Sequence, residues 1–278
     1  MRYLLLALAF HCAWGAPGHL GEARAEEPTE AKLKKLADDS RARAAAVEVT
    51  VTTGERAAKA TVRPEPIMKY TDVPRQIEMA TLWVWQDEGR PIALGKVEAY
   101  ERKEGTKWLY CFASASVRAV DGKWPDGHRF QARQDAISWA TLKDPAPHET
   151  AAGRLRQMKD LFQRFTATTR DDQLKTSDEL RPLARPLHEY TAPKHGVTQG
   201  ILCGFAANGT NPDVVIVLEA TDPNDKGVPK AWRYAVIGMT ASGISVKLDK
   251  TEVFTRPYAK SPAEFETWTY FWEGAPKK

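Results

Sequence analysis

Pro66-Ile67-Met68-Lys69-Tyr70-Thr71 returns later in the chain as Pro186-Leu187-His188-Glu189-Tyr190-Thr191. Each copy is followed by another proline (Pro74, Pro193), an apolar run, a glycine-bearing loop and further apolar runs in the same order. Laid side by side from these anchors, Leu82-Trp83-Val84-Trp85 falls on Leu202-Cys203-Gly204-Phe205, and Gly89 falls on Gly209. Val97-Glu98-Ala99 then meets Leu218-Glu219-Ala220, and Trp108-Leu109-Tyr110 meets Trp232-Arg233-Tyr234. Self-similarity at so long a period excludes a solenoid and suits a duplicated unit. The reading is an α+β fold: two tandem copies of a helix followed by an antiparallel β-meander, forming a pseudo-dimer.

Working outward from the repeat, residues 29–46 are rich in Ala, Lys and Leu and read as a helix with Leu33 and Leu36 on one side. The β-branched run 47–53 either extends that helix or forms a short strand, and Gly54 ends it. Pro64 and Pro66 interrupt the next strand pieces, which places them at a sheet edge, because proline cannot donate to a ladder. Strands are expected over 81–86, 92–102 and 107–117, with 129–133 and 137–142 finishing the sheet. The second half opens with a helix over 150–169, capped by Thr150, whose apolar stripe is Leu155, Met158, Leu161, Phe162 and Phe165. Arg154, Arg156, Lys159 and Arg164 read as its solvated face. Further strands follow up to residue 255, and the tail from Pro257 carries no assignment. The expected division is 1–25 as a signal peptide, 26–142 as the first copy, 143–149 as a proline-bearing linker, 150–256 as the second copy and 257–278 as a tail.

The N-terminus reads as an export signal. Met1-Arg2 supplies the positive region, residues 3–10 the apolar run, and Ala23-Arg24-Ala25 the small residues read by a signal peptidase before Glu26. Cleavage after Gly15 is the alternative. The run is far shorter than the ~20 apolar residues that span a bilayer. Cys12 follows Ala9-Phe10-His11, which lacks the small residues that lipid modification wants. The protein is therefore expected to be exported, in the periplasm or at the cell surface, with no stable membrane insertion. Cleavage leaves Cys111 and Cys203, each inside an apolar run. They form either a disulfide, as an oxidising compartment invites, or two buried thiols.

A net charge of +4 on 278 residues, with no block of like charges, gives no footprint for nucleic acid. His128, His148, His188 and His195 are scattered, with no metal-ligand spacing among them. Asp222-Pro223-Asn224-Asp225-Lys226-Gly227 starts like a calcium loop, but Lys226 stands at a ligand position, so it reads as a hairpin loop. Asn208-Gly209-Thr210, though a glycosylation sequon in form, reads as the tip of a tight turn. No Gly-x-Ser-x-Gly elbow and no glycine-rich phosphate loop occurs. No cofactor or metal is expected.

What remains are aromatic and polar candidates. Residues two apart on a strand share a face, so Trp108, Tyr110 and Phe112 align, as do Trp232, Tyr234 and Val236. These faces are either core or, if open, platforms for a sugar ring or stacked ligand. His188 is the remaining candidate, since its counterpart in the first copy is Met68. Candidate ligand-binding residues are thus Trp108, Tyr110, Trp232, Tyr234 and His188.

Arg154-Leu155-Arg156-Gln157-Met158, Glu179-Leu180-Arg181-Pro182-Leu183, Val215-Ile216-Val217-Leu218-Glu219-Ala220 and Trp232-x-Tyr234-Ala235 are similar to a group of uncharacterised exported proteins predicted from planctomycete-type bacterial genomes. The resemblance implies export and a shared fold, and carries over no catalytic residue. The expected function is non-catalytic binding or scaffolding, with a ligand crease between the two copies for a small molecule, glycan or protein. A hydrolase acting on a cell-envelope polymer is the alternative, and a filler domain in a larger surface assembly is a third reading.

Overall fold

The computed structural model describes residues 29–72, 75–171, 175–207, 209–222, 229–258 and 267–274. The expected signal peptide over 1–25, Asn208 of the sequon and most of the 222–227 loop lie outside the described residues.

The first helix, α1 (Glu30–Ala45), starts where Thr29 accepts the Lys32 amide on its hydroxyl at 3.3 Å. It buries Leu36, Ser40 and Ala44, four residues apart and therefore on one face. Ser40 is satisfied inside the core by the Thr81 hydroxyl at 2.5 Å, which also accepts the Trp83 indole N–H at 2.8 Å. The run after the helix is a strand, β1 (Glu48–Thr53), followed by β2 (Arg56–Lys59), β3 (Thr61–Val62) and β4 (Met68–Asp72). Long strands follow, β5 (Ile77–Asp87), β6 (Arg90–Arg102) and β7 (Gly105–Ser114), then β8 (Ala119–Lys123), β9 (Arg129–Ala132) and β10 (Ala140–Leu142).

The second helix, α2 (Ala151–Phe162), is shorter than expected. Residues 165–169 are not its last turn but part of β11 (Phe165–Asp171), where Thr166, Thr168 and Thr169 prefer the extended backbone that β-branching favours. Arg154 is not solvated either. It is buried, donating to the Gln199 side chain at 2.9 Å and to the carbonyls of His148 and Glu149 at 3.0 and 2.7 Å. The chain continues through β12 (Thr176–Pro182), β13 (His188–Ala192), β14 (Val197–Ala206), β15 (Val214–Thr221), β16 (Ala231–Gly238), β17 (Gly243–Leu248), β18 (Thr251–Arg256) and β19 (Trp268–Trp272).

The fold class differs from the expectation. The protein is mostly β, with two α-helices among the described residues and three antiparallel sheets, rather than an α+β pseudo-dimer of two helix-plus-meander copies. The sheets have the orders β2-β1-β8-β9, β19-β7-β6-β5-β3 with β4 also on β5, and β10-β16-β15-β14-β12-β11-β17-β18 with β13 also on β14. Two pairings rule out separate meanders. β10 crosses to β16, setting Ala140 beside Tyr234 and Leu142 beside Trp232. β19, from the unassigned tail, crosses to β7, setting Trp268 beside Ala113 and Trp272 beside Leu109. Each long sheet is thus closed by a strand from the other half of the chain. The halves also differ inside, because β12 runs unbroken from β11 to β14 while the equivalent path leaves its ladder at Ala60.

The core has three layers. The six- and nine-stranded sheets face one another across a central layer that holds Leu82, Leu94 and Cys111 from one and Leu202, Val215 and Ile237 from the other. Outside lie a layer under α1 with Trp83, Trp85 and Phe112, and a layer under α2 with Met158, Phe205 and Trp232. The central strands are buried on both faces, which explains their long apolar runs. Cys111 and Cys203 are both free and buried, the first in the central layer and the second in the layer under α2.

Candidate functional site

Two short strands, β4 and β13, hold matching places at the junction of the facing sheets. Each pairs beside one long strand (β5 or β14), with a register shift just after its tyrosine, Tyr70 or Tyr190. Each tyrosine donates its hydroxyl to a buried glutamate across the sheet, Tyr70 to Glu98 at 2.8 Å and Tyr190 to Glu219 at 2.7 Å. Each outer edge is approached by a turn from the other half. The two junctions nevertheless differ.

The β13 junction is closed. Gly89 in the β5–β6 turn has φ +86, and a Cβ placed on it would lie 2.5 Å from the Thr191 carbonyl oxygen. Only glycine allows that approach. From this turn Arg90 donates to both carboxylate oxygens of Glu219 at 3.0 and 3.1 Å, while Arg233 donates to Glu219 at 2.6 Å. The Trp139 ring packs against both guanidinium groups, its centre 4.9 Å from Arg90 and 4.7 Å from Arg233. Around the rim, Lys194 pairs with Glu88 at 2.9 Å, and His195 meets the Asp87 carbonyl at 3.1 Å. The Gln86 amide donates to His188 Nε2 at 3.2 Å, so the imidazole acts as acceptor in its neutral form. Burial, reinforced by the nearby Arg63 charge, pushes the His188 pKa down to about 4.

The β4 junction is open. The facing turn stands farther off, since a Cβ on Gly209 would lie 3.6 Å from the Thr71 carbonyl oxygen. Among the described residues Glu98 is hydrogen-bonded by tyrosine hydroxyls, Tyr100 donating at 2.9 Å beside Tyr70, while Arg75 reaches Asp72 at 3.2 Å and Asp213 at 3.8 Å and acts on Glu98 through its charge. Burial and the Glu98 charge raise the Tyr70 hydroxyl well above its ordinary range, so it stays a donor. A groove of about 1050 Å³ runs between α1, β4 and the turn at Gly209 and Thr210. Leu33 and Ala37 of α1 face Met79 along it, and Lys34 and Lys69 stand on opposite walls. Neither lysine forms an ion pair among the described residues, whereas Arg41 is neutralised by Glu65 at 2.9 Å and Asp38 at 3.1 Å. The groove has more than twice the volume of the 480 Å³ cavity beside Trp108.

The residues singled out from the sequence are not brought together. Trp108 and Tyr110 lie in the layer under α1, Trp108 beneath the Arg43 guanidinium at 4.3 Å and Tyr110 stacked on Phe271 at 5.3 Å. Trp232 and Tyr234 lie in the opposite layer, the Trp232 indole donating to the Pro145 carbonyl at 3.0 Å and Tyr234 edge-on to Phe165 at 5.2 Å. All four are core side chains, and His188 sits in the closed junction. Sequence reasoning missed Lys34 and Thr210. Lys69 and Tyr70, however, belong to the very stretch that repeats, which was the available signal.

Among the described residues no group of three or more His, Cys, Asp and Glu is placed to hold a metal ion. No helix among them is long and apolar enough to cross a membrane. No family model, curated protein or solved structure matches the chain.

Proposed function

We propose that this protein is an exported, non-catalytic binding protein whose ligand lies in the groove between α1, β4 and the Gly209–Thr210 turn. The observation that carries the reading is the contrast between the junctions: the chain fills one with its own turn and a buried charge cluster, and leaves the matching one as a groove of about 1050 Å³. A concave cleft with an apolar wall and a few polar groups is the usual place for a ligand. Export rests on the N-terminal pattern of Met1-Arg2, an apolar run and Ala23-Arg24-Ala25.

Distance argues against polymer hydrolysis in this groove. Its carboxylates, Glu30 and Asp38, are separated by about 12 Å along α1 at 1.5 Å rise per residue. Glycoside hydrolysis places its two carboxyl groups roughly 5–9.5 Å apart. Asp38 is also engaged by Arg41. Glu98 and Glu219, both buried, are already bound by tyrosine or arginine donors.

The test is a thermal-shift panel of envelope sugars, fatty acids, nucleotides and short peptides, run on the wild type and on Ala37→Trp, which fills the groove. A ligand at 100 times its Kd stabilises by about 2.7 kcal/mol, a rise of several degrees. The expected result is a rise from one ligand class that Ala37→Trp abolishes. A flat panel, or a rise that the variant retains, would overturn the reading.

A further inference from the structure

We infer that the groove takes an extended, acidic polypeptide segment, which adds as a strand to the free edge of β4. The inference rests on the binding reading above and names the class of ligand.

The geometry of the lining carries it. Lys69, Tyr70 and Thr71 all border the groove, although successive side chains on a strand point to opposite faces. The groove thus lies over the face that carries Lys69 and Thr71, with Tyr70, whose ring is in the central layer, bordering it from between them, and it runs beside the outer edge of the strand, where backbone N–H and C=O groups project. Among the described residues β4 pairs with β5 alone, so that edge has no ladder partner. Unpaired edges are templates for another strand, and proteins normally cover them. This chain covers the matching β13 edge by pressing Gly89 against the Thr191 carbonyl. At β4 the corresponding turn stands back at ordinary contact distance from the Thr71 carbonyl, and the groove opens beside it.

The other walls fit a strand in length and character. Groove-lining residues on α1 run from Glu30 to Arg41, about 16 Å of helix. That accommodates roughly five residues of extended chain at 3.3 Å each. Leu33 and Ala37, one helical turn apart, offer an apolar wall to side chains on one face of the added strand. Lys34 and Lys69 offer positive charge that nothing among the described residues neutralises. Glu30, in the first turn of α1 where it complements the helix dipole, lies four residues before Lys34 on the same helix face and forms no ion pair among the described residues. Acidic side chains beside Lys34 and Lys69 complete the pairing.

Three labelled, end-capped nonapeptides serve as probes, with binding read by fluorescence polarisation on the purified protein. One alternates valine with glutamate and threonine, the second replaces glutamate by lysine, and the third is the acidic peptide with two adjacent amides N-methylated so that neither edge can pair. The acidic peptide should bind at least tenfold tighter than the basic one and lose tenfold or more on methylation. The double substitution Lys34→Glu and Lys69→Glu should invert the charge preference, both lysines being exposed and dispensable for packing. Equal binding of methylated and unmethylated peptides, or indifference to charge, would overturn the inference. If some other ligand class still gave a rise lost in Ala37→Trp, the binding reading would survive that failure. If the peptides and the panel were both silent, both would fall.

Discussion

Arg90 crosses the junction between the two facing sheets to hold both carboxylate oxygens of Glu219, a residue 129 positions away with no exposed surface. The bidentate geometry is the strongest form of side-chain hydrogen bonding, and Tyr190 and Arg233 supply the remaining donors. Glu98, in the matching place on β6, accepts hydrogen bonds from the Tyr70 and Tyr100 hydroxyls among the described residues. The same buried acid is therefore bonded directly by guanidinium groups on one side of the molecule and by tyrosine hydroxyls on the other, where the Arg75 charge acts on it without a hydrogen bond.

Glu219→Gln should cost about 3 kcal/mol or more, because it strands Arg90 and Arg233 beside a neutral amide. Glu98→Gln should cost about 1–2 kcal/mol, since tyrosine hydroxyls can still bond an amide. Urea unfolding midpoints of the two variants measure the difference. Equal losses would mean that the cations contribute nothing beyond the tyrosine bonds.

The two turn glycines should separate in the same way. Gly89→Ala meets both a left-handed backbone and the Thr191 carbonyl oxygen, so the turn must lift off β13 at a cost of about 2–3 kcal/mol. Gly209→Ala meets the backbone penalty alone, about 1 kcal/mol, because its nearest neighbour leaves ordinary contact distance. Thermal unfolding of both variants decides this. Matching losses would show that the two junctions are equally tight, against the asymmetry on which the groove depends.

Much of the strand pattern was legible because its cause is local. Alternation placed Trp108, Tyr110 and Phe112 on one face, and the repeated Tyr and Glu stations of the two halves turn out to be bonded pairs. Sheet membership was not legible. The crossings of β10 to β16 and of β19 to β7 depend on which edge stands open in the folded chain, and no neighbouring residue encodes that. The aromatic tail of β19, Trp268-Thr269-Tyr270-Phe271-Trp272, makes sense only once β7 lies beside it. Arg154 was misread for a related reason, since a charge on a helix reads as solvated until Gln199 and two carbonyls are brought to it. The groove was legible only through the repeated stretch that carries Lys69 and Tyr70, because it forms where α1, β4 and the turn at Gly209 and Thr210 meet in the folded chain.

The thiols give a prediction independent of the site. Burial pushes the Cys203 pKa up to about 12 and raises that of Cys111 further, aided there by the Glu98 charge. Thiolate is the reactive form, so native protein at pH 8 should leave both cysteines unmodified by iodoacetamide, and both should label fully in denaturant. Reductant should not shift the melting temperature. Peptide mapping that found a Cys111–Cys203 disulfide would contradict the two-layer placement of these residues.

His188 makes acid stability depend on the closed junction, and the sign follows from linkage. Its pKa is about 4 in the folded protein, against roughly 6.5 in an unfolded chain. Above the unfolded value both states are neutral and the residue has no pH effect. As pH falls from about 6.5 toward 4, the unfolded chain takes up a proton that the folded protein refuses, so stability declines across that window. The upper bound is about 3 kcal/mol at 1.36 kcal/mol per pKa unit, and solvent near the rim lowers it. In His188→Gln the side-chain carbonyl can still accept from Gln86, while the titrating group is gone. The variant should therefore lose less stability than the wild type between pH 7 and pH 4.5 in urea unfolding, whatever its stability at pH 7. Parallel pH curves for the two proteins would show that His188 is protonated as readily folded as unfolded, and that the junction is not dry.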